Sequence, residues 1–151
     1  MDGAVFRDQM RALMRALGVF DEARTPCGVD ISVREAFALG VLLRSDEASR
    51  LTHSDLQRAL SVDKSNITRL VQQLVNSGMV EQRVGVDERV RTLHLTAKGR
   101  KLAGRLNERS VERFRAVLTK VPRDERRNLL RAVDLLRKAL EDVAQEQVDA
   151  R

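Results

Sequence analysis

The chain has 151 residues, 42% hydrophobic and 33% charged, enough for one globular domain with a core. A formal charge of +6 and a pI near 10.4 favour a polyanionic partner. Four Phe with no Tyr and no Trp argue against a base-stacking platform for single strands, and one cysteine excludes an internal disulfide framework.

The first residues mix Asp2, Arg7, Asp8 and Arg11 with apolar side chains, unlike the apolar stretch of a signal peptide. No run approaches the 18 apolar residues of a membrane span, so a cytoplasmic protein is expected, with no membrane partner. Residues 3–24 carry Phe6, Met10, Leu13, Leu17 and Phe20 at helical spacing, with Met14 widening the stripe: a helix with a packing face. Thr25-Pro26-Cys27-Gly28 is a loop. Ser32 caps a helix over 33–43 whose buried side is expected to be Ala36, Phe37, Leu39, Gly40 and Leu43. A polar connection follows over 45–50.

Thr52 and Asp55 have capping-box spacing, with Leu51 and Leu56 placed for a hydrophobic staple, so a short helix is predicted over 53–60. Ser61-Val62 turns the chain, Asp63 caps a second helix running to about residue 77, and Gly78 closes it. Two helices joined so tightly have helix-turn-helix spacing. The second is two-faced: Ile67, Leu70, Val71, Leu74 and Val75 must face a core. Opposite them lie Ser65, Thr68, Arg69, Gln72 and Asn76, with Lys64 and Asn66 in the first turn. Arg reaches guanine, Asn and Gln reach adenine, and hydroxyls reach either, so Ser65, Asn66, Thr68, Arg69 and Gln72 are the candidate base readers. The alternative is a solvated face. Three features favour nucleic acid: no acidic residue after Asp63 on this helix, the helix-turn-helix spacing, and a basic ribbon downstream.

That ribbon comprises strands over 79–84 and 90–95, with Leu93 and Leu95 on one side and Thr92 and His94 on the other. Its tip, 85–89, places Arg89 to enter a minor groove, with Asp87 two residues earlier able to orient it by an ion pair. Lys64, Arg83 and Arg91 are the candidate phosphate contacts. From Ser61 to Arg105 there are nine Lys or Arg against four Asp or Glu, whereas residues 1–24 balance at four against four. The positive excess therefore sits mostly on this segment.

Thr96 caps a long helix reaching about residue 119, with apolar positions Leu102, Leu106, Phe114, Val117 and Leu118, and Pro122 breaks it. A last helix over 123–148 carries Leu129, Val133, Leu136, Leu140 and Val143 at alternating steps of four and three, widened by Leu130, Ala132 and Ala139. This is more helix than a small winged core needs. Dimerisation is therefore expected through the first and last two helices, by Met10, Leu13, Leu17, Leu129, Val133, Leu136 and Leu140; the alternative is a helical core closing on itself.

The runs LTHSDLQRAL, VDKSNITRLVQQLVNSGMV and DERVRTLHLTAKG, in this order and spacing over roughly 51–99, closely resemble the MarR family of winged-helix transcriptional regulators. The chain departs from the common pattern at Gln82, where the family often has arginine, with Arg83 next, and in a wing about one residue shorter. The resemblance implies a mainly α fold with a small β-hairpin wing, residues 1–151 forming a single domain. Within it, 33–99 would be the winged helix-turn-helix module, and the helices of 1–32 and 100–151 the dimerisation region. It also implies a homodimer whose recognition helices, here 63–77, enter successive major grooves while Arg89 enters the adjacent minor groove. A small-molecule effector, frequently phenolic or anionic, is a further implication. So is oxidant sensing by a cysteine in the N-terminal part of the chain, here Cys27, against which stands an incidental small side chain.

Catalysis finds little support. His53, His94 and Cys27 have no metal-ligand spacing, and no HExxH, CxxC, phosphate loop or nucleophile elbow occurs, so neither enzyme activity nor a cofactor nor a metal is expected. The expected function is a sequence-specific double-stranded DNA-binding regulator, a homodimeric repressor on a pseudo-palindromic operator, released by a small ligand or oxidant. Two alternatives stand beside it: a sequence-tolerant architectural DNA-binding protein, and a helical protein-interaction adaptor.

Overall fold

The computed structural model describes residues 2–20, 25–45, 51–85 and 89–150. In chain order the elements are α1 (Gly3–Leu17), α2 (Val33–Arg44), α3 (His53–Leu60), α4 (Lys64–Asn76), β1 (Val80–Val84), β2 (Arg91–Leu95), α5 (Ala97–Lys120) and α6 (Arg126–Asp149). The chain forms two compact units, Met1–Val111 and Glu112–Arg151, so α5 begins in the first and ends in the second.

In the first unit α2, α3 and α4, the hairpin and the start of α5 enclose a core of Leu39, Leu56, Ile67, Val71, Leu74, Leu93 and Ala103, all nearly inaccessible. Local chemistry sets the helix starts. The Ser32 hydroxyl accepts from the N–H of Glu35, and the Glu35 carboxylate returns to the N–H of Ser32 at 3.1 Å. Thr52 and Asp55 repeat that exchange at α3, at 3.2 and 2.9 Å. Each box satisfies donors that a helix start otherwise leaves orphaned. The turn between α3 and α4 passes through Ser61, a non-glycine residue at φ 50.

β1 and β2 pair antiparallel from Val80↔Leu95 to Val84↔Arg91, and the N–H of Gly85 donates to Val90 O at 2.8 Å. On the other edge of β2, Thr52 bridges Thr92 and the N–H of Leu93 donates to Leu51 O at 2.8 Å. The residues just ahead of α3 therefore act as a short third strand, tying the helix-turn-helix to the wing.

Three sequence expectations are corrected, those for the end of α1, the inward face of α2 and the start of α6. α1 ends at Leu17 rather than continuing to 24, because Gly18 adopts φ 73 and its N–H turns back to Arg15 O; Phe20 lies beyond the helix. On α2 the buried residues are Ala38, Leu39 and Leu42, while Phe37 is 61% exposed, so the inward face is rotated from the expected one. Thr92 stays on the side it shares with His94 and is buried there, between strand β1 and Thr52. α6 begins at Arg126, after a turn in which the N–H of Glu125 donates to Pro122 O at 3.1 Å.

In the second unit, α6 carries an ion-pair set on one side: Arg137 bridges Asp134 and Glu141, and Lys138 reaches Asp134 at 2.9 Å. Leu129, Leu130, Val133, Leu140 and Val143 are exposed in the single subunit. α1 likewise has no buried residue.

Candidate nucleic-acid interface

The site is organised by α4. Its apolar residues Ile67, Leu70, Val71 and Leu74 are buried, which fixes the helix and leaves Lys64, Ser65, Thr68, Arg69, Gln72 and Asn76 exposed. Asp63 holds the first turn together. Its carboxylate accepts from the N–H of Asn66 at 2.9 Å, the Ser65 hydroxyl at 2.8 Å and the Asn66 side-chain amide at 2.7 Å. The Asn66 N–H foremost, then the Ser65 hydroxyl, holds this carboxyl below the ordinary aspartate range. The helix thus starts on an anion that its own groups occupy, in the position favoured by the helix dipole.

The candidate base readers divide accordingly. Asn66 is half-buried and commits one of its two amide N–H donors to the cap. The Thr68 hydroxyl donates to Lys64 O at 3.0 Å, and the Gln72 amide donates to Asn76 Oδ1 at 2.8 Å. Arg69 stands exposed in the middle of this face.

On the wing, Arg83 lies along β1 in an ion pair with Glu81, its Nε 2.6 Å from Oε1, so a phosphate must compete with that carboxylate. Arg91 is exposed at the tip end of β2, opposite Val84. Arg89 sits in a turn just ahead of β2. Asp87, expected to orient it, lies outside the described residues. The Thr92 hydroxyl joins Arg83 O at 3.3 Å and His94 Nε2 at 2.9 Å. His53, in the first turn of α3, is partly desolvated, which lowers its pKa and favours the neutral ring.

Cys27 is half-buried against the core, its Sγ 3.2 Å from the Thr25 hydroxyl. Among the described residues, no three His, Cys, Asp or Glu gather as metal ligands, and no helix is long and apolar enough to cross a membrane.

Sequence reasoning missed the groups that hold the far end of α4. Lys98 donates to Ser77 O at 2.8 Å and the Thr96 hydroxyl to Gly78 O at 2.7 Å, both from the start of α5. The Thr-x-Lys-Gly run was visible, but nothing in it shows which carbonyls it meets.

The MarR family model matches residues 29–90, a stretch that includes all of α2, α3, α4 and β1. Over 137 residues the chain is 31% identical to the uncharacterized HTH-type transcriptional regulator YdgJ of Bacillus subtilis, covering 89% of this chain and 79% of that protein. The chain belongs to the MarR family of transcriptional regulators. A second relative, the HTH-type transcriptional regulator PetP of Rhodobacter capsulatus, is 43% identical over 67 residues, covering 44% of this chain and 40% of PetP. Among solved structures, Streptococcus pneumoniae FabT in complex with DNA superposes with a TM-score of 0.75 at 24% identity, covering 94% of this chain and 99% of FabT. The Staphylococcus aureus MepR–DNA complex gives 0.67 at 19%, covering 91% and 96%. At these identities the two structures speak for the MarR fold.

Proposed function

We propose that this MarR-family protein is a cytoplasmic, homodimeric repressor that binds a pseudo-palindromic double-stranded operator and leaves it when a small effector binds. Residues 33–99 would form the DNA module, and the helices of 1–32 and 100–151 the dimerisation region. One observation carries the reading: α4 is held by a buried aliphatic face while its opposite face offers hydroxyls, amides and Arg69 to solvent. The net positive charge and the DNA present in the FabT and MepR structures support it.

On this reading Lys64, Arg83 and Arg91 neutralise phosphates, with counterion release setting affinity. Ser65, Thr68, Arg69 and Gln72 select bases, Asn66 serves them chiefly by holding the first turn, and Arg89 enters the minor groove. The half-buried Cys27, in contact with Thr25, suits a packing role, so release is assigned to a small molecule rather than to an oxidant.

Selection of bound duplexes from a random pool, followed by salt titration of the winner, tests this. The expected result is a two-fold motif with half-sites about one helical turn apart, and log affinity falling linearly with log salt. Equal affinity for the winner and for random duplex would instead mark a sequence-tolerant architectural protein. Absence of any salt-dependent duplex binding would favour a protein-interaction adaptor.

A further inference from the structure

The end of a helix leaves carbonyls without partners, and their partial negative charge calls for a cation. α4 has no basic residue in its own last turn. Its chain reversal already uses two carbonyls within the helix: Gly78, at φ 69, donates to Val75 O, and the N–H of Met79 donates to Leu74 O, each at 2.9 Å. The carbonyls of Ser77, Gly78 and Met79, just past the helix, are all met by Thr96 and Lys98 at the start of α5. Lys98 Nζ takes Ser77 O at 2.8 Å, the Thr96 hydroxyl takes Gly78 O at 2.7 Å, and the Thr96 N–H takes Met79 O at 3.1 Å. The same Thr96 hydroxyl accepts from the N–H of Gly99 at 3.0 Å, so one side chain both caps α5 and holds the exit of α4. Gly99 permits the approach, since a Cβ there would stand 1.9 Å from Met79 O.

We propose that Thr96, Lys98 and Gly99 form a clamp that sets the pose of α4, making Lys98 a positioning residue for sequence discrimination rather than a phosphate contact. The ammonium supplies from α5 the charge that the last turn of α4 lacks, and the missing Cβ of Gly99 fixes how closely the two helix ends approach. A looser clamp lets the outward face of α4 shift against the grooves. That penalises binding that depends on base-edge geometry and spares binding that depends on charge. The inference rests on the proposed function.

Its test compares a duplex recovered by selection with a scrambled duplex of equal length, across a salt series. The proteins are the full chain, Lys98→Met, Lys98→Arg and Gly99→Ala, each with a thermal unfolding curve. Lys98→Met is expected to lower the selected-to-scrambled ratio roughly threefold, in keeping with a solvent-exposed helix-end cation, with the salt slope unchanged and the ratio restored in Lys98→Arg. Gly99→Ala is expected to lower the ratio about tenfold, as losing one base contact would. If Gly99→Ala does not fold, the close approach is confirmed as obligatory and the surface substitution at Lys98 still decides. An unaltered ratio in Lys98→Met, or a salt slope reduced by about one, the mark of a lost phosphate contact, would overturn the clamp. A wild-type chain that binds no duplex would overturn the proposed function and the clamp with it; a discriminating wild type with an indifferent Lys98→Met overturns the clamp alone.

Discussion

At the scale of single residues, the outward face of α4 is less uniform than its composition suggests. Ser65 and Asn66 are both drawn onto Asp63, while Arg69 projects clear of the cap. On the proposed reading Arg69→Ala removes base recognition and should cost roughly 1–3 kcal/mol against the selected duplex, with a smaller loss against scrambled DNA. Equal losses on both would demote Arg69 to a phosphate contact. The residue types and their face were legible in the sequence because a period of 3.6 separates them from Ile67, Leu70, Val71 and Leu74. The inward turn of Asn66 was not. It depends on the side-chain amide finding the second oxygen of Asp63, and spacing alone cannot distinguish that from a side chain pointing to solvent.

At the scale of elements, the capping signals were the most legible part of the chain. Thr52-x-x-Asp55, Asp63 and Gly78 act locally, within a few residues of one another, and the structure places each as the spacing implies. The inward face of α2 was illegible for the opposite reason: apolar residues occupy nearly every position of 36–43, so periodicity sets no phase, and packing chooses Ala38 and Leu42 over Phe37. The caps carry a pH consequence. The Asp55 carboxyl is held below the ordinary range, chiefly by the Thr52 side chain, and the Asp63 carboxyl chiefly by the Asn66 N–H. A depressed folded value stabilises the fold above the unfolded value of about 4, and that contribution is lost as pH falls through the lower folded value. Thermal midpoints should therefore drop as pH descends below about 4, by a small amount for carboxyls so open to solvent. Asp55→Asn should soften that acid limb, and an acid limb as steep as the wild type's would show the Thr52–Asp55 box to be energetically idle.

At the scale of the whole molecule, the sequence pattern of α6 argues for a second copy. Val133 and Leu140, 56% and 58% exposed in the single subunit, recur in the stripe that spacing marked as a seam. Burying side chains of this size is worth about 1.5–3 kcal/mol each. Val133→Glu combined with Leu140→Glu should therefore weaken self-association by at least about a hundredfold. Because both positions are exposed, the helical circular dichroism of the separated subunit should persist. Sedimentation equilibrium checks this: a wild type that remains monomeric at micromolar concentration, or a double variant that associates as tightly as the wild type, would remove α6 from the interface.

The division of labour on α4 also bears on how such proteins diverge. The residues that anchor the helix and those that face outward share almost no members, and the exit of the helix is secured from α5 rather than by its own last turn. Thr68, Arg69 and Gln72 can therefore be rewritten by a few codon changes without disturbing the scaffold, like exchanging the bit of a key while the bow and shank stay the same. On the proposed function, such changes after a gene duplication would give a chain a new target long before its architecture changed.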